Sequence, residues 1–95
     1  MKSTNEHPLS RRLTISNELG LHARAAAKIA RLAETAQSKV VIIKDGQEAD
    51  GADMLDMMSL YCPCGTEVTV EITDSSDATV LNRIAQLIEA GFGES

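Results

Sequence analysis

Seven of the fifteen residues from His22 to Ala36 are alanine, and the rest include the helix formers Arg24, Lys28, Arg31 and Leu32. Such a run favours a helix over any strand. Ala26, Ile29, Ala30 and Ala33 recur at helical spacing and give it one apolar stripe. Because most of that stripe is alanine, the helix can approach a flat apolar surface closely, and the rest of the chain supplies one. Leu13-Thr14-Ile15-Ser16 alternates apolar and polar residues, as a half-buried strand does. Lys39–Lys44 is β-branched, and Asp45-Gly46 after it suits a tight hairpin turn into Gln47–Asp50, a short polar strand of edge character. Thr66–Thr73 alternates with Val68, Val70 and Ile72 on one face. Two further helices are expected. One is Met54–Leu60, with Asp53 as N-cap and Met57 and Leu60 in the core. The other runs from a cap at Ser75 or Ser76 to Ala90, with Val80, Leu81, Ile84, Leu87 and Ile88 inward and Gly91 as its stop. The order is β-α-β-β-α-β-α. It predicts an α+β fold: a two-layer open-faced sandwich, with a four-stranded antiparallel sheet carrying three helices on one face. A chain of 95 residues holds one such domain. It is expected over residues 11–95, with residues 1–10, including His7 beside Pro8, forming a disordered, solvated lead.

The charge pattern narrows the function. The formal net charge is -5, which argues against a nucleic-acid binder, and aromatic residues at 2% leave no base-stacking platform. That total conceals a division. Residues 1–44 carry eight bases against three acids, whereas residues 45–95 carry one base, Arg83, against eleven acids. No apolar run approaches the roughly 20 residues of a membrane span. Met1–Arg12 lacks the apolar core of a secretion signal, so a cytoplasmic protein is expected, monomeric and without membrane contact. Cys62 and Cys64 are too few and too close for a disulfide framework. They read as part of an ordinary loop, or as half of a zinc or redox site whose other ligands the sequence does not supply. No cofactor or resident metal is expected.

The most informative residues are Gly20-Leu21-His22-Ala23-Arg24. Gly20 permits a sharp turn out of the first strand. His22 then falls at the start of a long helix, where backbone N–H groups lack partners and attract anions, phosphate above all. A neutral imidazole is a nucleophile, and a phosphoryl group on its ring would meet those N–H donors and the Arg24 guanidinium. The alternative is an exposed capping histidine with no chemistry.

The stretch Asn17-Glu18-Leu19-Gly20-Leu21-His22-Ala23-Arg24-Ala25-Ala26-Ala27-Lys28 resembles the active-site segment of the histidine-containing phosphocarrier (HPr) family of bacterial phosphotransferase systems. The similarity runs on through Asp53–Leu60 and Gly65–Val68 and covers about residues 12–92. The ending Ala90-Gly91-Phe92-Gly93-Glu94 is similar to that of the family's nitrogen-related, regulatory branch. The resemblance implies that His22 accepts a phosphoryl group from phosphorylated enzyme I and passes it to EIIA-type proteins, a carrier's role rather than that of a self-standing turnover enzyme. It implies that Arg24 steadies the phosphoryl oxygens and that Asn17 lies near the site. Partners would dock on the first two helices. Lys28 and Arg31 continue a basic stripe from Arg24, and Met54, Leu55 and Met58 form an apolar patch that can repack against several surfaces. Three residues depart from the family pattern. Ala25 stands where many members have proline. Asp53 stands where some members carry a regulatory serine, so it either mimics a phosphoserine or caps its helix. Cys62-Pro63-Cys64 is unusual. A phosphorylation-dependent regulatory binding module and a thiol or metal sensor using Cys62 and Cys64 are the competing functions.

Overall fold

The computed structural model describes residues 9–94. Of the disordered lead expected over residues 1–10, residues 1–8, His7 included, lie outside them. Four strands, β1 (Ser10–Thr14), β2 (Val40–Lys44), β3 (Gln47–Asp50) and β4 (Glu67–Ile72), form one antiparallel sheet in the order β1-β4-β2-β3. Three helices, α1 (Ala23–Ala33), α2 (Met54–Met58) and α3 (Ala78–Glu89), complete the expected order. Short 3-10 turns at Ser75–Asp77 and Gly91–Gly93 flank α3.

The register shows why the sheet has one covered face. Leu13 lies opposite Val68, Ile42 opposite both Val70 and Ala49, and Val40 opposite Ile72, and all seven are buried. Their neighbours along each strand, such as Arg12, Glu67 and Glu71, point to the open face. Against the covered face lie Ala25, Ala26, Ile29, Ala30 and Ala33 of α1 and Leu81, Ile84, Ala85 and Ile88 of α3. Both predicted stripes therefore reach the core, with adjustments. Val80 and Leu87 are half-buried at its margin, and Ala25 and Ala85 take fully buried places.

The fold begins earlier than the boundary expected at residue 11. Ser10 pairs with Glu71, and the Leu9 carbonyl accepts the Ile72 N–H at 2.9 Å. Arg11 and Arg12 sit within this edge strand, with Arg11 reaching Asn82 and Glu89 and Arg12 reaching Glu67. Charged residues on a half-covered edge strand blur its alternation. The final helix also starts differently. Asp74, not a serine, caps the turn by accepting the Ser76 N–H, and Asp77 has a separate task. Its buried carboxylate accepts the N–H groups of Gln37 and Ser38 at 2.8 and 3.0 Å, tying the end of the α1–β2 connection to the start of α3.

Asp53 does cap α2, accepting the Asp56 N–H at 3.1 Å. Asp53→Ala is expected to cost about 1 kcal/mol. The check is a lower urea midpoint at unchanged m-value, and an unaltered midpoint would remove the capping role.

Candidate functional site

The site is assembled at the end of the sheet where β1 runs into α1. Ile15 continues the strand's pairing through its N–H to Thr66 O, at 2.8 Å. The chain then turns through Asn17–Gly20, closed by Gly20 N–H to Asn17 O at 3.1 Å. Leu21 N–H bonds Cys62 O at 2.8 Å, so the loop after α2 holds the residue that precedes His22. His22 is the N-cap of α1, with extended backbone (φ -84°, ψ -178°). Its carbonyl receives the first helical bond, from Ala26 N–H at 2.9 Å. The amides of Ala23, Arg24 and Ala25 come before that bond and form the electropositive end of the helix.

The two ring nitrogens of His22 have different surroundings. Nδ1 faces the helix terminus and accepts the Arg24 N–H at 3.2 Å. Nε2 meets the Glu94 carboxylate at 2.5 Å. An ionised carboxylate only accepts, so the proton belongs on Nε2 and the lone pair on Nδ1. The other oxygen of Glu94 accepts from Asn17 Nδ2 at 3.0 Å, and the same Nδ2 donates to Gly20 O at 2.7 Å. Asn17 is 5% exposed, and its Oδ1 is buried without a hydrogen-bond partner among the described residues. The hydrogen bonds from His22 and then Asn17 hold the Glu94 carboxyl below the usual carboxylate range. A depressed pKa stabilises the folded state above the group's ordinary pKa, and that contribution is lost as pH falls through the lowered one. The Glu94 contact is therefore fully present at neutral pH.

Arg24 is exposed and lines an open hollow with Asn17, Leu19 and Glu94 beside the ring. Leu19 also lines a second hollow with His22, Met58, Tyr61 and Pro63, and Leu19 and Tyr61 are 69% and 73% exposed. Leu55 is 70% exposed and Met58 37%, while Met54 is half-buried and Met57 and Leu60 are buried. Lys28 and Arg31 both lie on the exposed side of α1, but Lys28 donates to Phe92 O at 2.7 Å and so braces the end of the chain. Cys62 is buried, and burial pushes its thiol pKa up; Cys64 is exposed. Among the described residues no three His, Cys, Asp or Glu side chains gather as a metal would require.

The family model for the "PTS HPr component phosphorylation site" matches residues 9–90. The chain belongs to the HPr family. It is 36% identical over 86 residues to the phosphocarrier protein HPr of Cupriavidus necator, covering 90% of this chain and 97% of that protein. It is 34% identical over 87 residues to the phosphocarrier protein NPr of Shewanella violacea, covering 92% and 96%. Among solved structures, HPr-C-His from Thermoanaerobacter tengcongensis superposes with a TM-score of 0.85 at 28% identity, over 90% of this chain and 97% of that one. HPr from Bacillus anthracis gives 0.78 at 26% identity, over 84% and 95%. The open-faced HPr sandwich is thus the fold, and phosphocarrier of a phosphotransferase system is the function. Phosphotransferase proteins are accordingly its partners. Among the described residues no helix is long and apolar enough to cross a membrane.

Sequence reading did not find Glu94, Leu19 or Tyr61 at the site. For Glu94 no local signal exists, because its contact with His22 spans 72 residues. Leu19 had a signal, an apolar residue in a turn of otherwise polar and glycine residues.

Proposed function

We propose that His22 is the phosphoryl acceptor and donor of this carrier, and that it reacts through Nδ1. The observation that carries this reading is the aim of Nδ1 into the amide cluster at the start of α1. In the transfer the Nδ1 lone pair attacks phosphorus as the bond from phosphorus to the donor's nitrogen breaks. The oxygens of the arriving group then replace Nδ1 as acceptors for the helix amides, with Arg24 supplying a second source of positive charge. The donor is phosphorylated enzyme I, and the acceptors are EIIA-type proteins, met in the cytoplasm. Those partners seat on the apolar rim of Leu19, Met54, Leu55, Met58 and Tyr61, with Arg31 at its basic border.

Incubation with enzyme I and labelled phosphoenolpyruvate should give acid-labile, base-stable label on the wild-type chain and none on His22→Ala. Label retained by His22→Ala would refute the assignment. The thiol-sensor alternative predicts that Cys62→Ser with Cys64→Ser abolishes function without touching His22.

A further inference from the structure

The last described residues form a built element rather than a loose end. Phe92 is fully buried although its backbone is left-handed (φ 60°), and it lies between Gly91 (φ 64°) and Gly93 (φ 76°). Such a conformation is unfavourable for a bulky side chain and persists only where its surroundings fix it. Here they do. The phenyl ring fills the core, Lys28 holds the Phe92 carbonyl, and the N–H groups of Gly93 and Glu94 return to Ala90 O and Gly91 O at 3.2 and 3.0 Å. The product of this construction is the placement of one carboxylate against His22 Nε2, with its second oxygen held by Asn17.

We propose that Glu94 is a positioning residue for phosphoryl transfer, fixing the His22 tautomer and stabilising the positive charge that the ring acquires on phosphorylation. The proposal rests on the reading of His22 as acceptor. Its balance is simple. The ring begins neutral, with hydrogen on Nε2 and a lone pair on Nδ1. When the Nδ1–P bond forms and the donor's N–P bond breaks, no proton leaves, so the ring of His22 becomes an imidazolium and the donor ring returns to neutral. A carboxylate on Nε2–H stabilises that cation directly. It also keeps Nε2 protonated, the form in which the imidazole departs as a neutral leaving group when the phosphoryl moves on.

The arriving phosphoryl group repels Glu94, but the two anions approach opposite edges of the ring, and the phosphoryl charge is met by the helix amides. The other titratable groups around the ring are Arg24 and Lys28 from α1, Tyr61 and Cys62 from the loop after α2, and Glu18 and Glu89 at the rim of the adjoining hollow. None of them contacts Nε2 among the described residues.

The test compares full-length wild-type, Glu94→Gln and Glu94→Asp chains by ¹⁵N and ³¹P NMR across pH, before and after phosphorylation with phosphoramidate. Wild type should show the Nε2–H tautomer before phosphorylation. Glu94→Gln should lower the protonation midpoint of the phosphohistidine by about one pKa unit, with about a tenfold loss in the equilibrium that unit represents. Glu94→Asp, which keeps the charge, should recover part of it. Circular dichroism melts of the three chains confirm folding. A chain phosphorylated on His22 whose midpoint ignores Glu94→Gln overturns this proposal alone. A wild-type chain that takes no phosphoryl group on His22 overturns the acceptor assignment and this proposal with it.

Discussion

Phe92→Ala is expected to destabilise the protein by about 3–5 kcal/mol, the range for emptying a buried aromatic position. Phe92 is 0% exposed and joins the cluster that includes residues of α1, α3 and the sheet. In a domain of this size each kcal/mol moves the melting temperature by roughly 4–8 °C, so the melt should fall by roughly 12 °C or more. The substitution also frees the turn that presents Glu94, so the His22 tautomer ratio should shift at temperatures where the variant is still folded. Melting by circular dichroism and ring NMR read the two effects separately. A variant melting within about 2 °C of wild type, less than a single kcal/mol would produce, would show that the terminal turn is not part of the core.

Gly20→Ala is the second large effect, and its cause is backbone rather than cavity. The residue has φ +68°, and a Cβ there would lie 2.6 Å from Cys62 O and 2.8 Å from Pro63 Cα. No rotamer relieves contact with main-chain atoms. The Asn17–Leu21 turn must move away from the Cys62-Pro63 segment, which breaks the Leu21 N–H bond to Cys62 O. The left-handed conformation itself costs about 1–2 kcal/mol in a residue with a Cβ, and loss of the buried hydrogen bond adds about 1–3 kcal/mol. Phosphorylation of His22 should slow more than the fall in stability accounts for, because the turn also positions the ring and Asn17. Labelling rates measured well below the melting temperature check this, and a wild-type rate would show that the turn is dispensable to the site.

What the sequence disclosed and what it withheld follow from the range of the interactions. α1 was legible because its alanine stripe is repeated turn after turn, and β4 because Val68, Val70 and Ile72 alternate without interruption. The place of His22 at the start of α1 was legible because a cap, its glycine and its helix are contiguous. The boundaries were less so: α1 ends at Ala33, not Ala36, since Asp77 captures the amides of Gln37 and Ser38 from elsewhere in the chain. The same limit applies to charge. Lys28 and Lys44 both count toward the basic half, yet Lys28 braces Phe92 O, and Lys44 donates to the carbonyls of Leu60 and Tyr61 and sits over the Tyr61 ring. Part of that positive charge is spent inside the molecule, leaving Arg24 and Arg31 as the residues of the stripe with side chains uncommitted among the described residues. A sum over the sequence could not separate the two uses.

The strand order has a consequence for behaviour at high concentration. With β1-β4-β2-β3, the open edges of the sheet belong to β1 and β3. An exposed edge can template pairing with another copy and, repeated, a fibril. Both edges discourage it. Two β1 strands laid side by side would bring Arg11 and Arg12 of each copy close together, and β3 offers only the four residues Gln47–Asp50, two of them acidic. The large exposed apolar side chains among the described residues, Leu19, Leu55, Met58 and Tyr61, belong to loops and α2 instead. The apolar surface proposed here to receive partners is thereby kept off the two rims along which stickiness would spread into aggregation.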